Sequence, residues 1–235
     1  KHFQALDDDI TVVSKPKAGT TWLKALVLSI ANRNRYTLSN GPLNSLNPHE
    51  LVCFLVLRLY KQDSNPNLTT IPSPRLLATH FLFQVLADSI KHSSCRIVYV
   101  IRNLLDVIVC LWHFRRTMQK SGDWPLEECL ELFCKVEEGF GPFWDHKESL
   151  ENPRKMLFLK YEELKQDVIF QVKRLDLEVN KTRKMPWDKA PSNKVYFRTD
   201  NVGDYVNYLN PSTVQRFSNI LEEKLTKSGL TFKFS

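Results

Sequence analysis

A cation, a glycine and two hydroxyl groups lie together near the start of the chain, at Lys17, Gly19, Thr20 and Thr21. They follow a short apolar run at residues 10–13 and precede an apolar stretch that reads as a helix. A strand, a tight turn and a helix N-terminus bind phosphate well, because the first amides of a helix lack intrahelical partners and the helix dipole is positive there. The glycine allows close backbone approach, and the lysine supplies a point charge. The pattern predicts a phosphate-binding turn, and an ordinary strand-to-helix turn is the alternative.

The order of residues in this turn differs from the nucleoside-triphosphatase loop. That loop has a glycine, four residues, a second glycine, and then Lys followed by Ser or Thr, whose hydroxyl holds magnesium. Here Lys17 precedes Gly19, and Trp22 closes the motif. The sequence therefore argues against a nucleotide kinase, and it shows no cluster with the ligand spacing of a metal site.

Two further polar residues follow apolar runs that read as strands. His80 comes after residues 76–79, and Arg102 comes after residues 96–101. An imidazole with a pKa near 6.5 can accept a proton near neutral pH, and an arginine can make a paired contact with a phosphate. His80 could instead be a packing or surface residue, and Arg102 could be an ion-pair partner of Asp106.

The elements that would position these residues alternate between short apolar strands and helical patterns. Such alternation predicts an α/β fold, with a parallel sheet covered by helices on both faces and ligands bound at the carboxyl ends of strands. Strands are predicted at residues 11–14, 76–79, 96–101 and 156–160. Helices are predicted at residues 21–32, 48–60, 83–91, 104–119, 126–150, 161–175 and 211–227.

Composition bounds the class of protein. With 235 residues and 43% hydrophobic content, the chain is expected to form one globular domain over residues 1–235. The net charge of +7 is spread along the sequence, which favours an anionic ligand over nucleic acid. The five cysteines show no Cys-x-x-Cys pair, which suggests reduced thiols in the cytoplasm. No apolar run has the length of a membrane span, so no membrane partner is expected.

Residues 16–22, Pro-Lys-Ala-Gly-Thr-Thr-Trp, resemble the phosphosulfate-binding loop of soluble sulfotransferases, Pro-Lys-Ser/Thr-Gly-Thr-Thr-Trp. The similarity runs from about residue 10 to the C-terminus and is closest to the plant flavonol type. It implies 3′-phosphoadenosine 5′-phosphosulfate (PAPS) as co-substrate and no metal. The donor contacts that it implies are Lys17, Ala18, Gly19, Thr20, Thr21 and Trp22.

The resemblance extends to motifs further along the chain. Thr79-His80 matches the pair in which His is the catalytic base, and Lys17 is implied as the second catalytic residue. Residues 102–110 are similar to the family's Arg-Asn-x-x-Asp-x-x-x-Ser, in which Arg and Ser bind the 3′-phosphate, with Cys110 in place of serine. A neutral hydrogen bond contributes about 1 kcal/mol, so the weaker thiol donor predicts several-fold weaker donor binding. Tyr161 resembles the tyrosine that reaches the donor, or is a half-buried aromatic at a helix start.

The C-terminal motif departs most from the family's sequence. Its Arg-Lys-Gly, which closes over the 3′-phosphate, is here Arg198-Thr199-Asp200. An anion this near a phosphate would be unfavourable by roughly 3–4 kcal/mol. A block that flanks the adenine in the family is missing near residues 175–176, which leaves Trp22 as the main expected stacking face. The domain is expected to be truncated at its N-terminus, and no dimer is predicted.

The resemblance implies transfer of a sulfuryl group to a hydroxyl or amine of a small organic acceptor. His80 would accept the acceptor proton, and Lys17 would neutralise charge on the departing 5′-phosphate. The expected acceptor contacts, which could instead be core residues, are Phe81, Phe83, Trp112, His113 and Phe114. The alternative function is a catalytically inactive relative with weak or no nucleotide binding.

Overall fold

Five parallel strands form the sheet in a computed structural model of the protein, which describes residues 3–37, 39–81, 83–119, 124–135, 155–167 and 201–226. The strand order is β2-β3-β1-β4-β5, and every neighbouring pair is parallel. The strands are β1 (Ile10–Ser14), β2 (Cys53–Phe54), β3 (Leu76–Thr79), β4 (Arg96–Ile101) and β5 (Met156–Lys160). This confirms the predicted parallel sheet, with one strand more than the sequence indicated.

The described helices surround this sheet. They are α1 (Thr20–Ala31), α2 (Pro48–Leu51), α3 (Tyr60–Gln62), α4 (Asp88–His92), α5 (Leu104–Gln119), α6 (Leu126–Cys134), α7 (Tyr161–Asp167) and α8 (Pro211–Thr226). Short 3-10 turns lie at Pro42–Asn44, Phe83–Val85 and Asp204–Asn207, and a single π-helical turn lies at Leu55–Leu59. None of the helices within the described ranges combines the length and hydropathy of a membrane-spanning segment.

The core is divided by the sheet, because successive strand residues point to opposite faces. Val13 and Leu77 point to one face, where they belong to the same buried cluster as Leu105 of α5. Val12 and Ala78 point to the other face and share a cluster with α1. Helices therefore cover both faces of the sheet, as predicted.

The helix predicted at residues 48–60 is wrong. The chain there forms α2, the edge strand β2, a π-helical turn and α3. β2 pairs with β3 through Cys53 opposite Leu77 and Phe54 opposite Ala78. A two-residue strand within an apolar stretch has no period of its own, so tertiary pairing overrides the helical pattern.

The helix predicted at residues 83–91 is also wrong in part, since a 3-10 turn at Phe83–Val85 precedes the shorter helix α4. The later predicted helices at residues 126–150 and 161–175 begin as predicted, with α6 and α7. α6 ends at Cys134, well before the predicted bound, and residues 136–150 and 168–175 lie outside the described residues.

Candidate active site

The turn after β1 has the backbone of an anion-binding site. Lys17 has a φ of 67° and Gly19 a φ of 106°, so two left-handed residues alternate before α1 begins at Thr20. Such alternation turns successive backbone N–H groups toward one concavity. The turn is held closed because the Ala18 amide donates to the Lys15 carbonyl at 3.2 Å, and the Ser14 and Thr20 hydroxyls are 2.6 Å apart. The predicted strand, turn and helix N-terminus are therefore present.

Gly19 is required by its neighbour as well as by its backbone. A Cβ atom at this position would lie 2.7 Å from Cδ2 of Tyr161, closer than real Cβ contacts. Tyr161 begins α7, is 3% exposed, and meets Trp22 edge-on with ring centroids 6.0 Å apart. Tyr161 is thus a buried wall of the turn. Trp22 is 6% exposed, and its role as a stacking face for a base stays a prediction.

Arg102 packs against the ring of Tyr161. Its guanidinium carbon lies 4.6 Å from the centroid of the Tyr161 ring. Nη1 lies 3.7 Å from the Cys110 sulfur, Nη2 donates to the Asn201 carbonyl at 3.0 Å, and Nη2 also lies 3.6 Å from a carboxylate oxygen of Asp106. The ion pair considered from the sequence is therefore present. The buried Nε of Arg102 has no hydrogen-bond partner among the described residues, so this donor is available to a further acceptor.

Asp106 has a role that sequence reasoning missed. Its carboxylate is fully buried and accepts hydrogen bonds from the backbone amides of Gly203, at 2.8 Å, and Tyr205, at 3.0 Å. Asn103 caps the start of α5, since its side chain accepts from the Leu105 amide at 3.0 Å. The first turn of α5 therefore holds both Arg102 and the segment that follows the C-terminal motif.

His80 lies directly after β3 and is oriented by the neighbouring strand. Its Nδ1 lies 2.7 Å from the Ser14 carbonyl oxygen, which can only accept, so Nδ1 carries the proton and Nε2 carries the lone pair. Burial lowers the pKa of His80 from 6.5 to about 4. The hydrogen bond to Ser14 opposes this shift, whereas the positive charges of Lys24, Lys15 and Lys17 add to it. His80 is therefore neutral at pH 7, as a general base must be.

The predicted acceptor aromatics divide into two groups. Phe81, Phe83 and Trp112 are half-buried and pack against the core, as the alternative interpretation held. Phe114 contacts residues 15–19, the predicted phosphate loop, with its ring centroid 5.0 Å from Nζ of Lys17. His113 packs edge-on against Tyr208, with their ring centroids 4.9 Å apart.

Sequence reasoning missed a further aromatic, Phe54, because that stretch was predicted to be helical. Its ring lies 4.7 Å from the ring of His80 between centroids. The β2 pairing, which brings Phe54 beside β3, is the signal that could have found it.

Some of the predictions concern residues that the structure does not describe. Arg198, Thr199 and Asp200, and the junction near residues 175–176, lie outside the described residues. Within the described residues no group of His, Cys, Asp and Glu could hold a metal ion. All five cysteines are free thiols.

Comparison with known proteins connects this geometry to a family. Residues 7–229 match the family described as the Sulfotransferase domain. Cytosolic sulfotransferase 14 of Arabidopsis thaliana is 38% identical, over 100% of this chain and 80% of that protein. The crystal structure of an Arabidopsis thaliana putative steroid sulphotransferase is also 38% identical, covers 99% of this chain and 81% of that one, and has a TM-score of 0.74. A mouse sulfotransferase, SULT7A1, complexed with PAP shares the fold at 24% identity and a TM-score of 0.65, over 95% of this chain and 86% of its own.

Proposed function

This chain belongs to the sulfotransferase family, and we propose that it transfers the sulfuryl group of PAPS to a hydroxyl or amine of a small organic acceptor. One observation carries the proposal for the site. The left-handed turn around Gly19, the imidazole of His80 and the guanidinium of Arg102 are linked by direct contacts through Ser14 and Tyr161. These contacts join an anion-binding turn, a neutral base and a buried cation at one edge of the sheet.

The two ends of the donor have different sites in this proposal. The turn and Lys17 bind the 5′-phosphosulfate, because backbone amides and a cation converge there. Arg102 binds the 3′-phosphate through its open Nε, and Cys110 lies beside the same guanidinium. The mouse relative solved with PAP, the desulfated product, supports an adenosine phosphate ligand.

The chemistry follows from the lone pair on His80. Nε2 accepts the proton of the acceptor hydroxyl while the hydroxyl oxygen forms a bond to sulfur. The bond between sulfur and the bridging oxygen of the 5′-phosphate breaks, and PAP leaves with the electron pair. Lys17 and the amides of the turn stabilise the negative charge that develops on this oxygen.

The acceptor in this proposal is a small molecule whose apolar body carries the hydroxyl or amine, since aromatic residues such as Phe54 and Phe114 lie beside His80 and Lys17. The flavonol type stays a prediction, because the plant relatives identify the family without fixing the acceptor. A cytosolic location agrees with the names of those relatives. An inactive relative, the alternative drawn from the departures at Cys110, Thr199 and Asp200, has no support from the comparisons.

The test is PAPS-dependent sulfation of a panel of phenols, flavonols and steroid alcohols, with sulfated product detected by mass spectrometry. His80→Gln should lower kcat by about 10²–10⁴-fold, which is the usual contribution of a general base. His92→Gln is the matched control, because His92 is exposed on α4. Equal turnover by the two variants would contradict the assignment of His80, and no product from any acceptor would support the inactive alternative.

A further inference from the structure

Three polar side chains form a row beside the turn that precedes α1: Lys24 and His49 are buried, and Thr21 is half-buried. Lys24 and His49 take no part in the chemistry described so far. Thr21 Oγ1 lies 2.8 Å from Nε2 of His49, and Nδ1 of the same imidazole lies 3.2 Å from Nζ of Lys24. Thr21 and Lys24 belong to α1, whereas His49 belongs to α2. The row therefore connects the fully buried side chain of Lys24 to a half-buried hydroxyl in the first turn of α1.

The surroundings of Lys24 define the direction of these hydrogen bonds. Besides His49, Nζ lies 2.8 Å from the Val52 carbonyl oxygen and 3.4 Å from the centroid of the Phe54 ring. A carbonyl oxygen and the face of an aromatic ring both attract N–H groups and repel a lone pair. Burial lowers the pKa of Lys24 well below 10.5, whereas the carbonyl oxygen and the ring face beside Nζ favour the ammonium form. In that form Nζ has three N–H donors and no acceptor, so its third donor faces His49. Nδ1 of His49 is the third acceptor.

The hydrogen bond from Lys24 also determines which nitrogen of His49 donates to Thr21. Burial lowers the pKa of His49 well below 6.5, and the positive charge of Lys24 lowers it further, so the imidazole is neutral. A neutral imidazole has one donor and one acceptor nitrogen. Because Nδ1 accepts from Lys24, Nε2 carries the proton and donates it to Thr21 Oγ1.

The hydroxyl proton of Thr21 must then be donated elsewhere. Thr21 follows Gly19 and Thr20 at the N-terminus of α1, beside the left-handed turn. We propose that Lys24 and His49 are positioning residues for the donor, because they orient the Thr21 hydroxyl so that it donates to the 5′-phosphate. This inference rests on the proposed function, since it requires the phosphate to bind at this turn.

Two variants of His49 separate orientation from packing. His49→Gln can still reach Thr21 with an amide N–H. His49→Asn keeps an acceptor near Lys24 but is too short to reach Thr21. Each is combined with Thr21→Val, which removes the hydroxyl and keeps the branched shape. The readout is the dissociation constant for PAP by calorimetry, and thermal unfolding confirms that each variant is folded.

We expect His49→Asn and Thr21→Val each to weaken PAP binding about 3- to 10-fold, the contribution of one hydrogen bond. His49→Gln should stay within about 2-fold of the unsubstituted protein, and His49→Asn should add less than about 2-fold in the Thr21→Val background. Lys24→Met removes the donor that orients His49. It should weaken PAP binding only when Thr21 is present.

Two results would overturn the inference while leaving the proposed function intact. One is unchanged or tighter PAP binding by His49→Asn, as expected if the row ran in the opposite direction and Thr21 donated to His49. The other is an equal loss with and without the Thr21 hydroxyl, as expected for a packing effect. No PAP binding by the unsubstituted protein would instead overturn the proposed function, and the inference with it.

Discussion

Replacement of Gly19 by alanine tests whether the phosphate loop depends on close contact with Tyr161. The added Cβ would lie 2.7 Å from Cδ2 and 3.1 Å from Cε2 of the tyrosine ring. Restoring an optimal carbon–carbon separation of about 3.5 Å would move the ring by roughly 0.8 Å. The ring is buried between Trp22 and Arg102, so it cannot move alone.

Gly203→Ala provides the matched control. Gly203 also has a left-handed backbone, with a φ of 78°, but nothing lies within 4 Å of the position that its Cβ would occupy. In both variants the alanine must adopt a left-handed backbone, which costs about 1–2 kcal/mol of stability. Gly19→Ala is destabilised by about 1–3 kcal/mol more, because its Cβ overpacks the site. The difference between the two variants therefore isolates the contact with Tyr161.

The assay is denaturant unfolding of both variants, followed by calorimetric titration with PAP. We expect Gly19→Ala to have the lower free energy of unfolding by about 1–3 kcal/mol. We also expect it to bind PAP at least about tenfold more weakly, because moving Tyr161 also moves Arg102. Equal free energies of unfolding, or unchanged PAP affinity in Gly19→Ala, would refute the steric explanation.

Three further predictions concern His80, Cys110 and Asp106. Neutral His80 is the active form and its pKa is about 4, so kcat/KM should persist below pH 6 and decline only near pH 4; a decline near 6.5 would contradict the burial effect. Cys110→Ser should tighten PAP binding several-fold, because a hydroxyl donates better than a thiol. Calorimetric titration measures this affinity, and an unchanged value would contradict the prediction. Asp106→Asn should lower the free energy of unfolding by about 3 kcal/mol, since it removes the anion that pairs with buried Arg102 and accepts two amides. Asp88→Asn, with an 85% exposed side chain, should change it by less than about 0.5 kcal/mol; equal effects would contradict this role of Asp106.

The sequence predicted much of the fold because its signals are local. β3, β4 and β5 have the predicted bounds, as does α5, since each is a continuous apolar or amphipathic run. His80 and Arg102 follow strands as expected, and parallel strands bring their carboxyl ends to one edge.

The rest depends on contacts between residues far apart in the chain. The closeness of Gly19 to Tyr161 is set by the packing of α7 against the phosphate loop, and no local pattern encodes it. Lys24 and His49 read as polar residues in amphipathic helices, and only folding shows that they meet in the interior. The low pKa of His80 likewise arises from burial and from three lysines on another segment.

Calorimetric titration with PAP is the most direct test of the central claim that one site binds both phosphates of the donor. The unsubstituted protein should bind PAP with micromolar or tighter affinity. Lys17→Ala and Arg102→Ala should each weaken binding by more than about tenfold, because each removes a charge-assisted contact of about 1.5–3 kcal/mol. A folded protein that does not bind PAP, or that binds it equally well without Lys17 and Arg102, would contradict this site.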